Sequence, residues 1–410
     1  MARTVAGLPA GCRVSDFITM GVVAERIPVD RVHEALRQED RQSRRIRLLP
    51  AHVVVYYVVA LALYREVSYG EVLRCLVEGL TWLGWPVKRL RQMGRSGISH
   101  ARTRLGYEPM KRLYEEIVRP IATGQTRGAF YRTWRLISLD GTTLDVPDEA
   151  ENQAAFGRPP AARGRSGFPQ LRFVSLVECG THILFGAAQG PFSTGESTLA
   201  RNVVTHLRPG MLLLADRYFF GYALWQQAAS TGADLVWRVK LQIRLPCLKS
   251  LADGSYLSVI YPSETDRRRE QNGLPVRVVE YALEGEAGET RYRLITTVVD
   301  PEAAPAAELA ALYHERWEIE TAFDEFKTHL QGRSAILRSK TADLVRQEFY
   351  GLLLAHWAVR GLMHEAALQA DVDPDHLSFV HSVRVIRRRM QEPYGPDTAP
   401  FPPSGNHDTA

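Results

Sequence analysis

The sequence predicts an α/β fold, a mixed sheet flanked by helices, with a helical N-terminal segment before it and a β-rich insertion within it. Three observations predict this. Short apolar runs in mid-chain each stop at an aspartate: LISL before Asp140 and MLLLA before Asp216. Between and after them the pattern runs strand, strand, strand, helix, strand, helix, strand, an order that suits a mixed sheet with helices on its faces. Residues 13 to about 127 instead carry apolar residues at helical spacing, and 240–300 alternate between turn signals.

The elements follow in order. Val29, Val32 and Leu36 keep a helical spacing after Pro28. Ser68 followed by Glu71 is a capping-box pattern that opens a helix through Leu83. Lys88 to Arg104 then holds Lys88, Arg89, Arg91, Arg95, Arg102 and Arg104 with no acid. Within it, Gly97 to Gly106 reads as a turn, a Ser cap at Ser99 and a short basic helix. That segment is either the second helix of a helix-turn-helix or a solvated arginine-rich surface. Leu136 to Leu139 reads as a strand ending at Asp140. Leu171 to Glu178 and His182 to Ala188 read as two more, turned at Cys179-Gly180. Thr194 to Leu207 reads as a helix broken by Pro209-Gly210. Met211 to Ala215 is a fully apolar strand ending at Asp216. Tyr222 to Ala229 reads as helix and Asp234 to Val239 as strand. Tyr256 to Tyr261, Val276 to Tyr281 and Arg291 to Val299 form the β-rich insertion. Pro305 to Leu330 reads as one long helix, with more helix from Thr341 to Leu368. The tail after Pro393 has the composition of a disordered segment.

Bulk properties narrow the function. The chain has 410 residues, enough for two or three domains. Its longest apolar run, His52 to Tyr64, is too short to span a bilayer, and Met1 to Asp16 lacks the apolar centre of a signal peptide. Cys12, Cys75, Cys179 and Cys247 are scattered without metal-ligand spacing, as in reduced cytosolic proteins. A net charge of +5 hints at a polyanionic partner, and its clustering says more than its size. Besides Lys88 to Arg104, the loop Arg158 to Arg172 carries Arg163 and Arg165 among its arginines with no acid. Arg384 to Arg389 is a further basic run. Each is a candidate track for a DNA backbone or a solubilising stretch.

Three acids stand where a sheet could gather them: Asp140 and Asp216 at strand ends, and Glu320 on the long helix. Carboxylates brought together from separate elements suit two divalent ions, which in phosphoryl transfer activate the attacking oxygen and stabilise the leaving one. Hard oxygen ligands suit Mg²⁺ or Mn²⁺, so His182, His314 and His329 are not expected in such a site. From spacing alone each acid has a plainer reading: a turn residue before Gly141, a helix cap, a surface helix acid.

The motifs around these acids resemble the DDE transposases of the insertion sequence four family, with its YREK signature. YHERWEIETAFDEFK places Tyr313, Arg316, Glu320 and Lys327 at every spacing of that signature. LDGTTLDVPD resembles the family's first acidic motif and LLLADRYF its second. QLRFVSLVECGTH, GESTLA and YRLITTVVD also look like the family, so the resemblance runs from about Asp16 to Arg389. It implies a ribonuclease H-like fold, whose strand order matches the one read above. It also implies a metal-dependent polynucleotidyl transferase. Asp140 would bridge two Mg²⁺ or Mn²⁺ ions, with Asp216 and Glu320 each completing one site. Water would attack a phosphodiester at the element end. The freed 3′ hydroxyl would then attack the opposite strand, giving a hairpin, or target DNA. The implied partners are double-stranded DNA, as terminal inverted repeats and target, and a second copy of the chain on paired ends. The implied place is the cytoplasm of a prokaryote, at the nucleoid.

Physical reasoning adds roles for the other signature residues. Arg316, four residues before Glu320, and Lys327, seven after it, are cations near the acid and suit phosphate oxygens. The alternative is an ion pair between Arg316 and Glu320. Tyr313 is a phosphate donor or a core-edge aromatic. Tyr292 is either a platform for an unpaired base or a strand tyrosine. Glu196 fits a helix N-terminus and receives no catalytic role. The expected domains are 1–128, helical and DNA-binding; 129–240, the first part of the catalytic domain; 241–300, the insertion; 301–392, the catalytic and C-terminal helices; and 393–410, the tail. Two other functions share many of these features: a nuclease on the same fold, and a degenerate or domesticated copy that only binds DNA.

Overall fold

The computed structural model describes residues 25–45, 49–65, 67–82, 94–161, 164–165, 167–283, 290–330 and 336–389. The expected tail at 393–410 and the basic residues Lys88, Arg89, Arg91 and Arg163 lie outside them, as does the side chain of Arg165.

The N-terminal part is helical: α1 (Val29–Gln38), α2 (Ala51–Leu63), α3 (Tyr69–Trp82), α4 (Arg95–Leu105) and α5 (Glu108–Ile117). The Ser68 hydroxyl accepts from the Glu71 N–H at 3.3 Å, so the cap before α3 forms as its sequence indicates. Helix α4 differs from expectation. It begins after Gly94, and Ser99 lies inside it rather than at its cap. Ile98, Ala101 and Leu105 are buried along one stripe, and that stripe holds the helix together from its first turn.

Next come β1 (Phe130–Tyr131), β2 (Trp134–Asp145), α6 (Ala150–Phe156), the short pair β3 (Pro160–Ala161) and β4 (Gly164–Arg165), β5 (Gln170–Glu178) and β6 (Ile183–Pro191). Helix α7 (Glu196–Val203) leads to β7 (Met211–Ala215), α8 (Tyr222–Ala229) and β8 (Asp234–Arg238). The insertion supplies β9 (Lys249–Ser250), β10 (Tyr256–Ile260), α9 (Glu264–Arg268), β11 (Leu274–Leu283) and β12 (Thr290–Thr296). The main sheet runs β6–β5–β2–β7–β8–β12–β11–β10–β9, with β1 beside β2. β2, β7 and β8 are parallel and the outer pairs antiparallel. The insertion does not form a body of its own. Leu294 to Thr296 of β12 pair with Arg238 to Val236 of β8, so its strands prolong the same sheet.

Register explains where the acids fall. β7 pairs with β2 only from Arg135↔Met211 to Leu139↔Ala215. β2 continues to Asp145 because β5 keeps pairing with it, through Asp140↔Ser175 and Gly141↔Val174 to Asp145↔Gln170. The expected strand end at Asp140 is therefore the end of the neighbour, not of β2 itself. β7 is buried from Leu212 to Ala215, as a parallel strand covered on both faces must be.

The expected long helix from 305 to 330 is interrupted. It consists of α10 (Ala306–His314), a 3₁₀ turn (Glu315–Trp317), α11 (Glu318–Asp324) and a π-helical turn (Glu325–His329), with Leu330 N–H bonding to the Glu325 carbonyl at 2.8 Å. The wider turn lets consecutive residues Glu325 and Phe326 both face the interior. Helix α12 (Ala342–Ala370) and α13 (Phe379–Arg389) close the fold.

Helix α2 is apolar all round and buried from Val53 to Leu63, because it packs against α12 rather than against solvent. At Gly351 a β-carbon would lie 2.7 Å from Val58 Cγ1 and 3.0 Å from its carbonyl oxygen, so glycine permits the close approach of the two helices. Glu348 of α12 accepts from Arg65 Nη1 at 2.8 Å and from the Arg338 N–H at 3.0 Å. No described helix is long and apolar enough to cross a membrane.

Candidate active site

Asp140, Asp216 and Glu320 come from three elements and face one end of β7. Leu139 pairs with Ala215, so the residues that follow stand side by side, Asp140 still within β2 and Asp216 just past the end of β7, with the strands about 5 Å apart along the hydrogen-bonding direction. Asp140 is mostly buried, and its carboxylate accepts from the Gly141 N–H at 2.7 Å. Asp216 turns the chain out of β7: its carboxylate accepts from the Arg217 N–H at 2.6 Å and its carbonyl from Phe219 N–H at 3.0 Å.

Arg316 joins the third acid to the first. Its Nη1 lies 3.8 Å from Asp140 Oδ2 and its Nη2 lies 3.7 Å from Glu320 Oε1. One guanidinium, about 2.3 Å between its terminal nitrogens, spans the gap, so these two oxygens are no more than about 10 Å apart. Arg316 is buried and Glu320 exposed, so the cation is fixed while the carboxylate at the rim is free to adjust. The ion pair read as an alternative for Arg316 is present, and it extends to Asp140.

Lys327 Nζ donates to Thr142 Oγ1 at 2.9 Å. Thr142 is two residues along β2 from Asp140 and so on the same face. The π-helical turn shifts the phase of the helix between Glu320 and Lys327, and the lysine still reaches the strand that carries Asp140. Tyr313 is buried, and its hydroxyl has no hydrogen-bond partner. Burial pushes its ionisation well above the ordinary phenol range, so it stays a neutral donor.

Burial also pushes the Asp140 carboxyl up to about 6, opposed by the Gly141 N–H and Arg316 and reinforced by Glu196 and Asp216. A desolvated carboxylate beside two others lacks positive charge. An all-oxygen donor set of this kind could hold a hard divalent cation.

Tyr292 is half-buried. It stacks on Tyr281 with ring centroids 5.2 Å apart and lies 4.2 Å beneath the Arg238 guanidinium, with His314 edge-on at 6.1 Å. It is an aromatic platform at the sheet surface rather than a core tyrosine. Arg95 and Arg104 are exposed on α4. Arg102 is not. It is buried, with Nε donating to Gln347 Oε1 at 2.8 Å and Nη2 to Ser339 Oγ at 2.9 Å. The expectation that Arg102 contacts DNA is corrected: its guanidinium clamps α4 to α12.

Sequence reasoning gave Glu196 no catalytic role and did not single out Tyr218 or Trp317. Glu196 approaches Gly141 so closely that a β-carbon there would stand 2.8 Å from its side chain. It is thus a fourth carboxylate beside Asp140. Tyr218 and Trp317 are large aromatics left exposed at the rim, two residues after Asp216 and three before Glu320. Arg217 lies over the Tyr218 ring at 5.3 Å and Arg316 over Trp317 at 5.7 Å. Their signal was adjacency to the acids in the chain.

Comparison with known proteins places the chain in a family. Residues 133–358 match the family described as "Transposase DDE domain", and residues 17–115 match "Insertion element 4 transposase N-terminal". "Transposase InsG for insertion sequence element IS4" of Escherichia coli (strain K12) is 27% identical over 377 residues, covering 90% of this chain and 83% of that protein. "Putative transposase InsZ" of the same organism is 25% identical over 236 residues, covering 56% of this chain and 72% of its own length. The fold is ribonuclease H-like, with the insertion added to its β8 edge. The chain belongs to the insertion sequence four family of DDE transposases, enzymes that act on DNA and depend on divalent metal ions.

Proposed function

We propose that Asp140, Asp216 and Glu320 are the catalytic carboxylates of this transposase, and that together they hold two Mg²⁺ or Mn²⁺ ions. The observation that carries the reading is the convergence of three carboxylates from β2, the end of β7 and α11, with Arg316 between two of them. Bound there, the ions would polarise the scissile phosphodiester and its attacking oxygen. Asp140 would be the ligand shared by both ions, with Asp216 and Glu320 each contributing to one. Arg316 keeps Asp140 ionised and offers its remaining donors to a phosphate oxygen. Lys327, held on the Asp140 face by Thr142, neutralises the strand next to the cut. Tyr313, buried with an unpartnered hydroxyl, is a spare donor.

The reaction is hydrolysis of one strand at the element boundary, freeing a 3′ hydroxyl, followed by transesterification of that hydroxyl onto a second phosphodiester. The second step exchanges one phosphodiester for another, so it needs no nucleotide cofactor. Tyr292, backed by Tyr281 and Arg238, suits an unstacked base. Arg95 and Arg104, with Lys88, Arg89, Arg91, Arg163 and Arg165, track the phosphate backbone of the terminal repeats. The domain limits 1–128, 129–240, 241–300, 301–392 and 393–410 belong to this reading, as does a homodimer that pairs two element ends in the cytoplasm, at the nucleoid.

The test is cleavage of a labelled duplex carrying the element end, with Mg²⁺, by the native chain and by Glu320→Ala. Boundary cutting that is lost in the variant and with chelator supports the assignment. Products that are cut but never joined indicate a nuclease. DNA binding without cleavage, with Mn²⁺ also tried, indicates a degenerate copy.

A further inference from the structure

A second polar cluster lies on the inner side of the same helix, away from Asp140. His182 closes the turn between β5 and β6 with φ at +56°, a conformation uncommon for a side-chain-bearing residue. Its imidazole is 3% exposed. Nδ1 faces Glu325 Oε1 at 3.4 Å. That carboxylate is itself held in the π-helical turn, with Arg360 Nε and His356 Nε2 each 3.5 Å from Oε2. Nε2 of His182 has no hydrogen-bond partner. It is directed between Asp375 Oδ1 at 3.2 Å and Glu318 Oε2 at 3.9 Å. One donor atom from each of His182, Glu318 and Asp375 lies within 4.8 Å of the others.

These distances have a chemical meaning. Nitrogen and oxygen ligands about 2.0–2.2 Å from a tetrahedral zinc ion stand about 3.2–3.6 Å from one another. The His182–Asp375 separation of 3.2 Å lies in that range and the His182–Glu318 separation of 3.9 Å just above it. A metal-binding histidine commonly directs its other nitrogen at a carboxylate, which fixes the tautomer and turns the free lone pair to the ion. Glu325 stands in that position. A buried ring nitrogen with no partner costs stability unless something occupies its lone pair.

We propose that His182, Glu318 and Asp375 form a second metal site, separate from the catalytic carboxylates, for a borderline divalent ion of the Zn²⁺ type. The mixed nitrogen and oxygen donor set selects such an ion over Mg²⁺. The site joins three parts of the chain: the β5–β6 turn, α11 two residues before Glu320, and the turn that follows α12. It therefore braces the helix that carries Glu320.

The experiment uses the full chain with Asp140→Asn, Asp216→Asn and Glu320→Gln, which removes the hard-ligand site. Zn²⁺ is titrated calorimetrically, and Co²⁺ serves as a spectroscopic substitute. The expected result is one ion per chain, with the intense visible bands of tetrahedral cobalt. Adding Asp375→Asn or His182→Gln weakens uptake at least about tenfold. Asp375 is exposed in a short turn, so its variant keeps the test decisive if His182→Gln does not fold. No uptake by the folded chain, or uptake unchanged by Asp375→Asn, overturns the proposal and leaves an internal ion-pair network.

Discussion

The guanidinium of Arg316 stands 3.8 Å from the carboxylate of Asp140 and 3.7 Å from that of Glu320. This pairing sets the pH behaviour of the site. Burial raises the Asp140 carboxyl to about 6, and Arg316 pulls it back. Only the ionised form accepts a metal ion. Metal binding and cleavage are therefore expected to fall as pH drops through about 6. In Arg316→Ala the restraint is gone, so the onset of cleavage moves to higher pH, measured as a cleavage–pH profile. An unmoved profile with a uniformly lower rate would assign Arg316 to the phosphate alone.

The same shift carries a stability consequence. Asp140 in the folded chain holds its proton more tightly than in the unfolded chain, whose carboxyl lies near 3.8. Its ionisation therefore costs stability, the cost growing from about pH 4 to about pH 6 and staying constant above. Without metal, Asp140→Asn is expected to be more stable than the native chain at pH 7, by on the order of 3 kcal/mol. Thermal melting at pH 4 and pH 7 checks the sign: the gain should vanish at the lower pH.

Glu196 supplies a contrasting variant. Its charge raises the Asp140 carboxyl, so Glu196→Gln should move the onset of cleavage to lower pH, opposite to Arg316→Ala. A large rate loss with no movement would mean that Glu196 ligates an ion instead of acting through its field.

Lys327 is tested against its partner on β2. Lys327→Met is expected to reduce cleavage by about 10²-fold, the usual scale for removing one charge-stabilising group. Thr142→Val, which only releases the ammonium, should cost less, since the cation remains. Equal losses in both would make the 2.9 Å hydrogen bond, rather than the charge, the essential feature.

How much of this was legible beforehand follows from the range of each interaction. Met211 to Ala215 is a strand with the bounds its apolar run indicates, because a buried parallel strand needs no partner to declare itself. The extent of β2 was not legible, because it depends on β5 continuing to pair after β7 has stopped. The three acids proposed for the site stand out in the sequence through their motifs. Glu196 beside Gly141 was not legible, since fifty-odd residues separate them in sequence and only the β5–β6 hairpin and α7 bring them together. The same holds for His182 and Asp375. The π-helical turn was hidden because Ile319, Phe323 and Phe326 keep a helical spacing through it; only the buried Glu325 breaks the pattern.

Arg102 shows where charge pattern and helical period compete, and it leads to the last prediction. It sits four residues after Ile98, on the stripe that also holds Ala101 and Leu105, so the helix turns it inward regardless of its charge. There it donates to Gln347, Ser339 and the Leu344 carbonyl. Arg102→Ala leaves those acceptors unpaired and opens a gap between α4 and α12. It is expected to destabilise the fold by about 3 kcal/mol, the scale for breaking a buried, hydrogen-bonded charge. Arg95→Ala and Arg104→Ala, on the exposed face, should hardly change the melting temperature. Each should instead weaken DNA binding and lower the salt dependence of the affinity by about one unit of slope. Melting curves and binding isotherms at several salt concentrations separate the two classes. Loss of DNA affinity in Arg102→Ala without loss of stability would return that residue to the DNA-facing surface.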